Sequence, residues 1–372
     1  MSLTLDRSFS SPAPFLDPER VGRAKAAFTT RRVPLAEASS LLTDRTPRPG
    51  DVALARVTSL GQHRNLQLTT GRRAKLYVGD EVIVAYGNRY APDQFEAWLP
   101  ETLGACHLVA GGGVAAQVRA RHSAIKAATG LDVLGVLADH EQQPFNLRRW
   151  ALPKLPWQGE RPRTLAVLGT AMNAGKTHTV ASLAQGYVAA GRRVGVAKVT
   201  GTGAGGDLWA VADVGVVRVL DFTDAGYTST YGVALPELAD IFTTLVRQLY
   251  HAGAEVVLLE VADGLLQRET AALMTSPVFA EALDGLIFAA GDAMGASAGA
   301  SLLHAYDLPL LGVSGALSQS PLAVREAEAA TGLPVWTAQT LRQAEVETLL
   351  EARLEQLHAA FGGPHVADAE AC

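Results

Sequence analysis

Cysteine is scarce in this sequence, whose 372 residues include only Cys106 and Cys372. The two lie far apart along the chain, and the nine histidines show no paired spacing of the kind that metal ligands have. A fold held together by disulfides is therefore excluded, and the pattern is typical of a protein in a reducing compartment. We expect a cytoplasmic protein.

An excess of positive charge is also missing. The chain has 32 basic and 37 acidic residues, which gives a formal net charge of −5. A protein that binds duplex nucleic acid normally presents a basic face, so no nucleic acid partner is expected. Small anionic ligands stay open, because a few backbone amides and one lysine suffice to bind them.

Long apolar runs are absent as well. No segment approaches the roughly 20 apolar residues that span a bilayer. The N-terminal stretch "MSLTLDRSFSSPAPF" has no run long enough for a signal peptide. Cys372 is the last residue of the sequence, so it is not the cysteine of a C-terminal prenylation box. We expect no membrane partner.

The sequence does contain two halves with different patterns, and its length favours two domains. Short alternating runs separated by glycine turns predict a small barrel or sheet near residues 51–100, within a β-rich α+β domain over residues 1–150. Within that domain, "CHLVAGGGVAAQVRARHSAIKAA" predicts a strand, a glycine turn and a helix. The proline-rich residues 151–163 are predicted to form a linker.

Residues 164–372 alternate short Val, Leu and Ile runs with helical stretches. Continuous apolar strands between helices are typical of a parallel sheet covered on both faces. The predicted fold class is therefore α/β, with a C-terminal doubly wound, mostly parallel sheet after a smaller β-rich domain. The polar loop "DFTDAGYTSTYG" follows one strand and is interpreted either as a substrate contact or as turn chemistry.

The segment "LGTAMNAGKTHT" resembles a phosphate-binding loop, whose usual pattern is a glycine, four residues and then Gly-Lys-Ser/Thr. Its first glycine stands one residue early. The segment follows an apolar strand and opens a helix, so its backbone amides are expected to converge on an anion. The predicted nucleotide-binding residues are Gly169, Thr170, Asn173, Ala174, Gly175, Lys176, Thr177 and His178.

The loop "GTAMNAGKT" also resembles the longer "GTDTxVGKT" loop of dethiobiotin synthetases. Two later segments resemble the same class. In "AKVTGTGAGGD" the match to "YKPVxSG" falls on Lys198 and Gly201, and in "LLEVADG" the match to "VEGAGG" falls on Glu260 and Gly264. The three motifs cover about 100 residues, roughly 164–265, so the C-terminal domain resembles a P-loop NTPase of the dethiobiotin synthetase class.

The sequence departs from that class in two respects. Ala171 and Met172 replace an Asp and a Thr of its loop, which indicates a different substrate. The chain also carries a long N-terminal addition. In that respect it is loosely similar to P-loop proteins with an extra N-terminal domain, some of them linked to N-acylation of acidic D-amino acids.

The resemblance implies an enzyme that uses ATP and Mg²⁺ to phosphorylate a small carboxylate or amine-derived acceptor for ligation or cyclisation. Asp207 can also be interpreted as a solvated turn residue, and Arg268 as half of a surface ion pair. The predicted catalytic residues are Lys176, Lys198, Glu260 and Arg268, and the predicted magnesium ligands are Thr177, Asp207 and Glu260.

Two other functions stay open. One is an N-acyltransferase or small-molecule kinase that uses the same pocket, since coenzyme A carries an adenosine diphosphate group. The other is a nucleotide-switched partner protein, such as a metallochaperone-like NTPase. A second anion or carboxylate site is also considered in the N-terminal domain. It would use Arg89 and the N-terminus of the helix predicted after the triple glycine, with a close-packed turn as the alternative. By analogy with the class, we expect a homodimer that acts on a small-molecule substrate.

Overall fold

Alternating apolar residues between positions 25 and 138 form the strands of a first, β-rich domain. The structure, a computed structural model, describes residues 15–361. The signal-peptide and prenylation interpretations fall on termini outside that range. Helix α1 spans Pro18–Arg23, and the strands are β1 Lys25–Ala26, β2 Ser40–Leu42, β3 Val52–Ser59, β4 Asn65–Gln67, β5 Arg73–Lys75, β6 Glu81–Tyr86, β7 Arg89–Tyr90, β8 Phe95–Trp98, β9 Ala105–Ala110, β10 Val114–Arg121 and β11 Thr129–Ala138.

Five of these strands close into a barrel. β3 pairs with β6 and β11, β11 pairs with β9, β9 pairs with β10, and β10 returns to β6. Side chains such as Val57, Val84 and Leu108 fill the interior and are fully buried. Closure leaves no open edge around the ring, which removes a site for unwanted strand pairing. β4 and β5 form a separate hairpin beside it.

The prediction of a helix after the triple glycine is wrong. Val114–Arg121 is strand β10, which closes the barrel. Its alanines favour a helix locally, but pairing with strands on both sides outweighs that preference. The glycines form the tight turn before β10. A Cβ on Gly112 would lie 2.1 Å from the carbonyl oxygen of Gly203, so the second domain approaches the turn closely here.

The second domain begins with the first of six short apolar strands. The strands are β12 Arg163–Gly169, β13 Val194–Lys198, β14 Arg218–Asp221, β15 Val256–Glu260, β16 Gly285–Ala289 and β17 Leu310–Ser314. The helices are α2 Lys176–Ala189, α3 Gly206–Ala212, α4 Leu235–His251, α5 Arg268–Met274, α6 Pro277–Ala282, α7 Ala293–Ala305, α8 Pro321–Thr331, α9 Ala338–Leu341 and α10 Val346–Phe361.

The six strands form one parallel sheet in the order β14-β13-β15-β12-β16-β17. Its two faces are covered by separate apolar clusters, one containing α4 residues such as Leu245 and the other α2 residues such as Leu183. Helices on both faces explain why the strands are continuous apolar runs. The α/β fold class with a doubly wound, parallel C-terminal sheet is thus confirmed. Among residues 15–361, no helix has both the length and the apolar character to cross a membrane.

Polar side chains gather at one edge of this sheet because its strands are parallel. Lys198, Asp221 and Glu260 are the last residues of β13, β14 and β15. The loop between β12 and α2 lies at the same edge. Ligands of open α/β sheets bind at this edge, outside the carboxyl ends of the strands.

The proline-rich segment 151–163, between the two sheets, packs along α4. Gln248 donates a hydrogen bond to Pro153 O (2.8 Å), and Arg247 donates one to Leu155 O (3.0 Å). These bonds satisfy carbonyls in a stretch whose prolines cannot donate. The segment predicted as a linker is therefore docked onto the second domain.

Candidate functional site

The loop between β12 and α2 has the geometry of an anion site. Asn173 (φ +63°) and Gly175 (φ +96°) both adopt left-handed backbone, which turns the chain sharply into α2. No side chain caps the N-terminus of this 14-residue helix. Its first amides are therefore free to bind an anion, and the helix dipole favours one there.

The displaced glycine of the loop has a steric reason. A Cβ on Gly169 would lie 2.9 Å from Ala289 O and 2.9 Å from the Lys176 side chain. Glycine at this position therefore leaves room for the Lys176 side chain. A Cβ on Gly264 would lie 2.1 Å from Thr170 O. Neighbouring loops thus hold the phosphate-binding loop from several sides.

Lys176 is the buried cation of the loop. Its Nζ donates to Ala171 O (2.6 Å), and the residue is only 6% exposed. Burial lowers the pKa of Lys176, and the nearby charges of Glu260 and Asp263 partly oppose this effect. A desolvated lysine beside free helix amides interacts strongly with phosphate, because a low local dielectric strengthens the attraction.

Lys198 lies between two of the predicted magnesium ligands. Its Nζ is 3.2 Å from Glu260 Oε1 and also donates to Asp207. Burial alone would lower the pKa of Lys198, but the charges of Glu260 and Asp207 outweigh it and hold that pKa above its ordinary value. Lys198 is therefore a cationic partner for the buried carboxylate at the end of β15.

The same carboxylates fit magnesium only in combination with a phosphate ligand. Within residues 15–361 no cluster of three or more His, Cys, Asp or Glu side chains is arranged to hold a metal. Mg²⁺ is usually held by one or two carboxylates together with substrate phosphates and water. The oxygen donors of Thr177, Asp207 and Glu260 fit that pattern, so their role as magnesium ligands stays a prediction.

A cavity of about 800 Å³ joins these groups to the β-rich domain. Arg268 does not line this cavity, and its side chain is exposed. Its catalytic role therefore stays a prediction. Gly169, Thr170 and Ala174 form the inner side of the loop and likewise do not line the cavity. The predicted site residues that do line it are Asn173, Gly175, Lys176, Thr177, His178, Lys198, Asp207 and Glu260.

The opposite wall of the cavity comes from the β-rich domain and was largely missed by sequence reasoning. It includes His63, Gln67, Arg89 and Gln94. Of these, Arg89 and Gln94 belong to the polar, aromatic-rich stretch "YGNRYAPDQFEAWLP", and Arg89 is the one that the sequence made a candidate for a second anion or carboxylate site. His63 and Gln67 flank or lie in the short strand β4, whose sequence has no such signature.

Two hydrogen bonds connect the walls directly. Asn173 Nδ2 donates to Asp93 Oδ2 (3.1 Å), and Gly205 N donates to Gln67 Oε1 (2.7 Å). The first of these bonds ties the phosphate-binding loop to the β7–β8 turn. Residues of both domains therefore form the cavity.

His63 gives a pH-dependent prediction. Its Nε2 lies 3.0 Å from Val109 O, and burial, followed by the charge of Arg89, lowers the pKa of His63 to about 4. The unfolded chain therefore takes up a proton between about pH 6.5 and 4 that the folded chain refuses. Stability should fall across this window as pH falls, by at most about 3 kcal/mol.

Urea unfolding at a series of pH values checks this prediction. In His63→Gln, the dependence of unfolding free energy on pH between 4 and 6.5 should be shallower than in the wild type. His140, an exposed histidine, provides the control variant His140→Gln, which should keep the wild-type dependence. Equal slopes in wild type and His63→Gln would contradict a buried neutral imidazole.

Together, the parallel sheet, the loop after its first strand and the buried lysine define a P-loop nucleotide-binding fold. No family model and no curated protein matches this chain. Solved structures do match it. One is the signal recognition particle 54 kDa protein from Aeropyrum pernix K1 in complex with GDP, with 20% identity, a TM-score of 0.37 and coverage of 55% of this chain and 50% of that one.

Two FtsY proteins are similar at the same level. The signal recognition particle receptor FtsY from Elizabethkingia anophelis has 15% identity and a TM-score of 0.38, over 56% of this chain and 70% of that one. The cell division protein FtsY from Thermotoga maritima has 17% identity and a TM-score of 0.35, over 57% of this chain and 79% of that one. These comparisons do not support the narrower resemblance to dethiobiotin synthetases, which stays a hypothesis.

Proposed function

We propose that this chain is an ATP- and Mg²⁺-dependent enzyme that transfers a phosphoryl group to a small acceptor held between its two domains. The observation that carries the proposal is the shared cavity. Phosphate-binding groups form one wall, and charged and polar groups of the β-rich domain form the other. A cavity of about 800 Å³ is within the usual range for small-molecule sites.

The residues of the P-loop wall have distinct roles in this proposal. Lys176 and the first amides of α2 bind the phosphates, and Lys198 stabilises negative charge that develops on the transferred group. Phosphoryl transfer is catalysed mainly by positioning and electrostatics, so fixed cations and amides suffice. Mg²⁺, bound with Thr177, Asp207 and Glu260, would neutralise phosphate charge.

The dethiobiotin synthetase-like motifs support a ligase or cyclase as the specific outcome. Phosphorylation converts a carboxylate into an acyl phosphate. An internal or external amine can then attack the carbonyl carbon, and phosphate departs as a good leaving group. The homodimer belongs to this part of the proposal, and sedimentation equilibrium tests it.

A second candidate is a nucleotide-switched protein, and the bond between Asn173 and Asp93 favours it. A ligand that changes the conformation of the phosphate-binding loop would change this contact with the β7–β8 turn. Segments that respond in this way to phosphate are a common basis for nucleotide switches. In this case hydrolysis would serve to reset the contact between the domains.

An assay of ADP release separates the candidates. ATP and Mg²⁺ are incubated with the full chain, with and without a mixture of small carboxylic acids, and Lys176→Ala serves as the control. The enzyme predicts release that depends on the mixture and is lost in Lys176→Ala. Slow release that no small molecule changes would favour the switch. Turnover of an acyl-coenzyme A without nucleotide would contradict both.

A further inference from the structure

Arg89 is a buried arginine without a counter-ion. It is 6% exposed, and within residues 15–361 no carboxylate lies within salt-bridge distance of it. The contrast is Arg31, a similarly buried arginine that contacts two aspartates. Arginine is almost never fully buried unless it is paired. An anion from outside the chain would complete the environment of Arg89.

The guanidinium of Arg89 has one edge anchored and one edge free. Its Nη1 donates to Val109 O, which fixes the orientation of the group. Its Nε is buried and has no hydrogen-bond partner among the described residues. Arg89 lines the cavity, and the Nε edge of its guanidinium is the edge for which the described residues supply no partner. Two parallel N–H donors of this kind match the two oxygens of a carboxylate.

An unpartnered acceptor lies close by on the β7–β8 turn. Gln94 also lines the cavity, and its Oε1 is buried without a hydrogen-bond donor. A ligand that brings only oxygen atoms would leave this acceptor unsatisfied, at a cost. A ligand that also carries a hydroxyl or amino group would satisfy it.

The surrounding charge favours a monoanion over phosphate. Asp93 and Asp263 both exert an electrostatic influence on Arg89, which keeps its pKa from falling below about 10 despite burial. The same two carboxylates repel a dianion more strongly than a monoanion. Lys176 and Lys198, the cations suited to phosphate, belong to the opposite wall.

We infer that Arg89 and Gln94 form a binding subsite for a small carboxylic acid that bears a hydroxyl or amino group next to its carboxylate. The inference rests on the proposed function, in which this acid is the acceptor. Arg89 grips the carboxylate with Nε and Nη2, and Gln94 Oε1 accepts a hydrogen bond from the neighbouring group. The acceptor is thereby held in the cavity that also contains the phosphate-binding loop.

Calorimetric titration of the full chain without nucleotide tests the subsite. The probes are acetate and glycolate, with inorganic phosphate as a competitor, at matched ionic strength. Glycolate should bind more tightly than acetate, and phosphate, which the phosphate-binding loop accepts, should leave glycolate binding unchanged. Arg89→Gln should weaken glycolate binding at least about tenfold, as expected for loss of a charged hydrogen bond. Arg73→Gln, which removes an exposed arginine of the same cavity, should change it less than about twofold.

A second variant keeps the test decisive if Arg89→Gln does not fold. Gln94→Leu retains the arginine, so it should bind acetate as the wild type does and lose the preference for glycolate. The inference is overturned if neither carboxylate binds, if phosphate displaces glycolate, or if Arg73→Gln abolishes binding in place of Arg89→Gln. Because nucleotide is absent, carboxylate binding and nucleotide binding can fail independently of each other.

Discussion

Replacing Arg31 with methionine is expected to lower the free energy of unfolding by about 3–5 kcal/mol. Arg31 Nη2 lies 3.1 Å from Asp221 Oδ1 and 2.6 Å from Asp224 Oδ2, and both aspartates are almost fully buried. Arg31 belongs to the β-rich domain, whereas Asp221 ends strand β14 of the P-loop domain and Asp224 lies in the loop after it. Its removal leaves two carboxylates close together in a buried interface.

The pKa values of Arg31 and Asp224 agree with this account. Burial alone would lower the pKa of Arg31, but Asp221 and Asp224 raise it above its usual value. Burial raises the pKa of Asp224, and Arg31 opposes that rise. Without the arginine, the aspartates would have to be protonated or hydrated, and either route weakens the contact between the domains.

Urea unfolding of Arg31→Met and of a matched surface variant measures the effect. Arg148 also pairs across the domains, with Glu237 at 2.6 Å, but both side chains are largely exposed. Arg148→Met should therefore cost less than about 1 kcal/mol. Similar losses for the two variants would show that the buried cluster does not hold the domains together.

Replacing Lys198 with methionine is expected to lower phosphoryl-transfer turnover by about 100- to 1,000-fold. Lys198 is the cation between Asp207 and Glu260, and Glu260 is only 4% exposed. Methionine keeps most of the side-chain volume but removes the charge. It therefore leaves the buried Glu260 without a partner and leaves charge on the transferred group without a stabilising cation.

Steady-state ADP release checks this second effect, and Lys198→Arg provides the comparison. Arginine keeps the charge, so it should retain more activity than methionine, although its planar group does not reproduce the lysine geometry. Turnover in Lys198→Met within a few-fold of the wild type would exclude a direct role for this lysine. A loss confined to stability, with normal turnover of the folded fraction, would make Lys198 a structural partner of Glu260.

Local patterns were enough to predict the C-terminal half of the chain. The apolar runs of β12 and β15 are buried on both faces, and Gly175 starts α2, so the sequence signals coincide with the elements they predict. Lys198 and Glu260, both singled out by motifs, lie together because parallel strands bring their carboxyl ends to one edge. These features depend on short segments and on one general rule of sheet topology.

Contacts between distant segments could not be predicted in the same way. Asp221 and Asp224 were interpreted as substrate contacts or turn residues, yet their main partner is Arg31, 190 and 193 positions away. The alanine-rich segment Val114–Arg121 was interpreted as a helix because its role in closing the barrel depends on β6 and β9. In both cases the decisive interaction is non-local, and no pattern within the segment reports it.

We expect a nucleotide to bind through the loop Gly169–Thr177 and to need Lys176 for binding. Calorimetric titration of the wild type and of Lys176→Ala with ATP, GTP and coenzyme A, each with Mg²⁺, tests this expectation. Far-ultraviolet circular dichroism of Lys176→Ala verifies that the variant is folded. We predict that the wild type binds ATP and that the folded variant binds it at least about 100-fold more weakly, because the buried cation of the loop is gone. Absence of nucleotide binding in the wild type, or equal binding by the folded variant, would contradict the account.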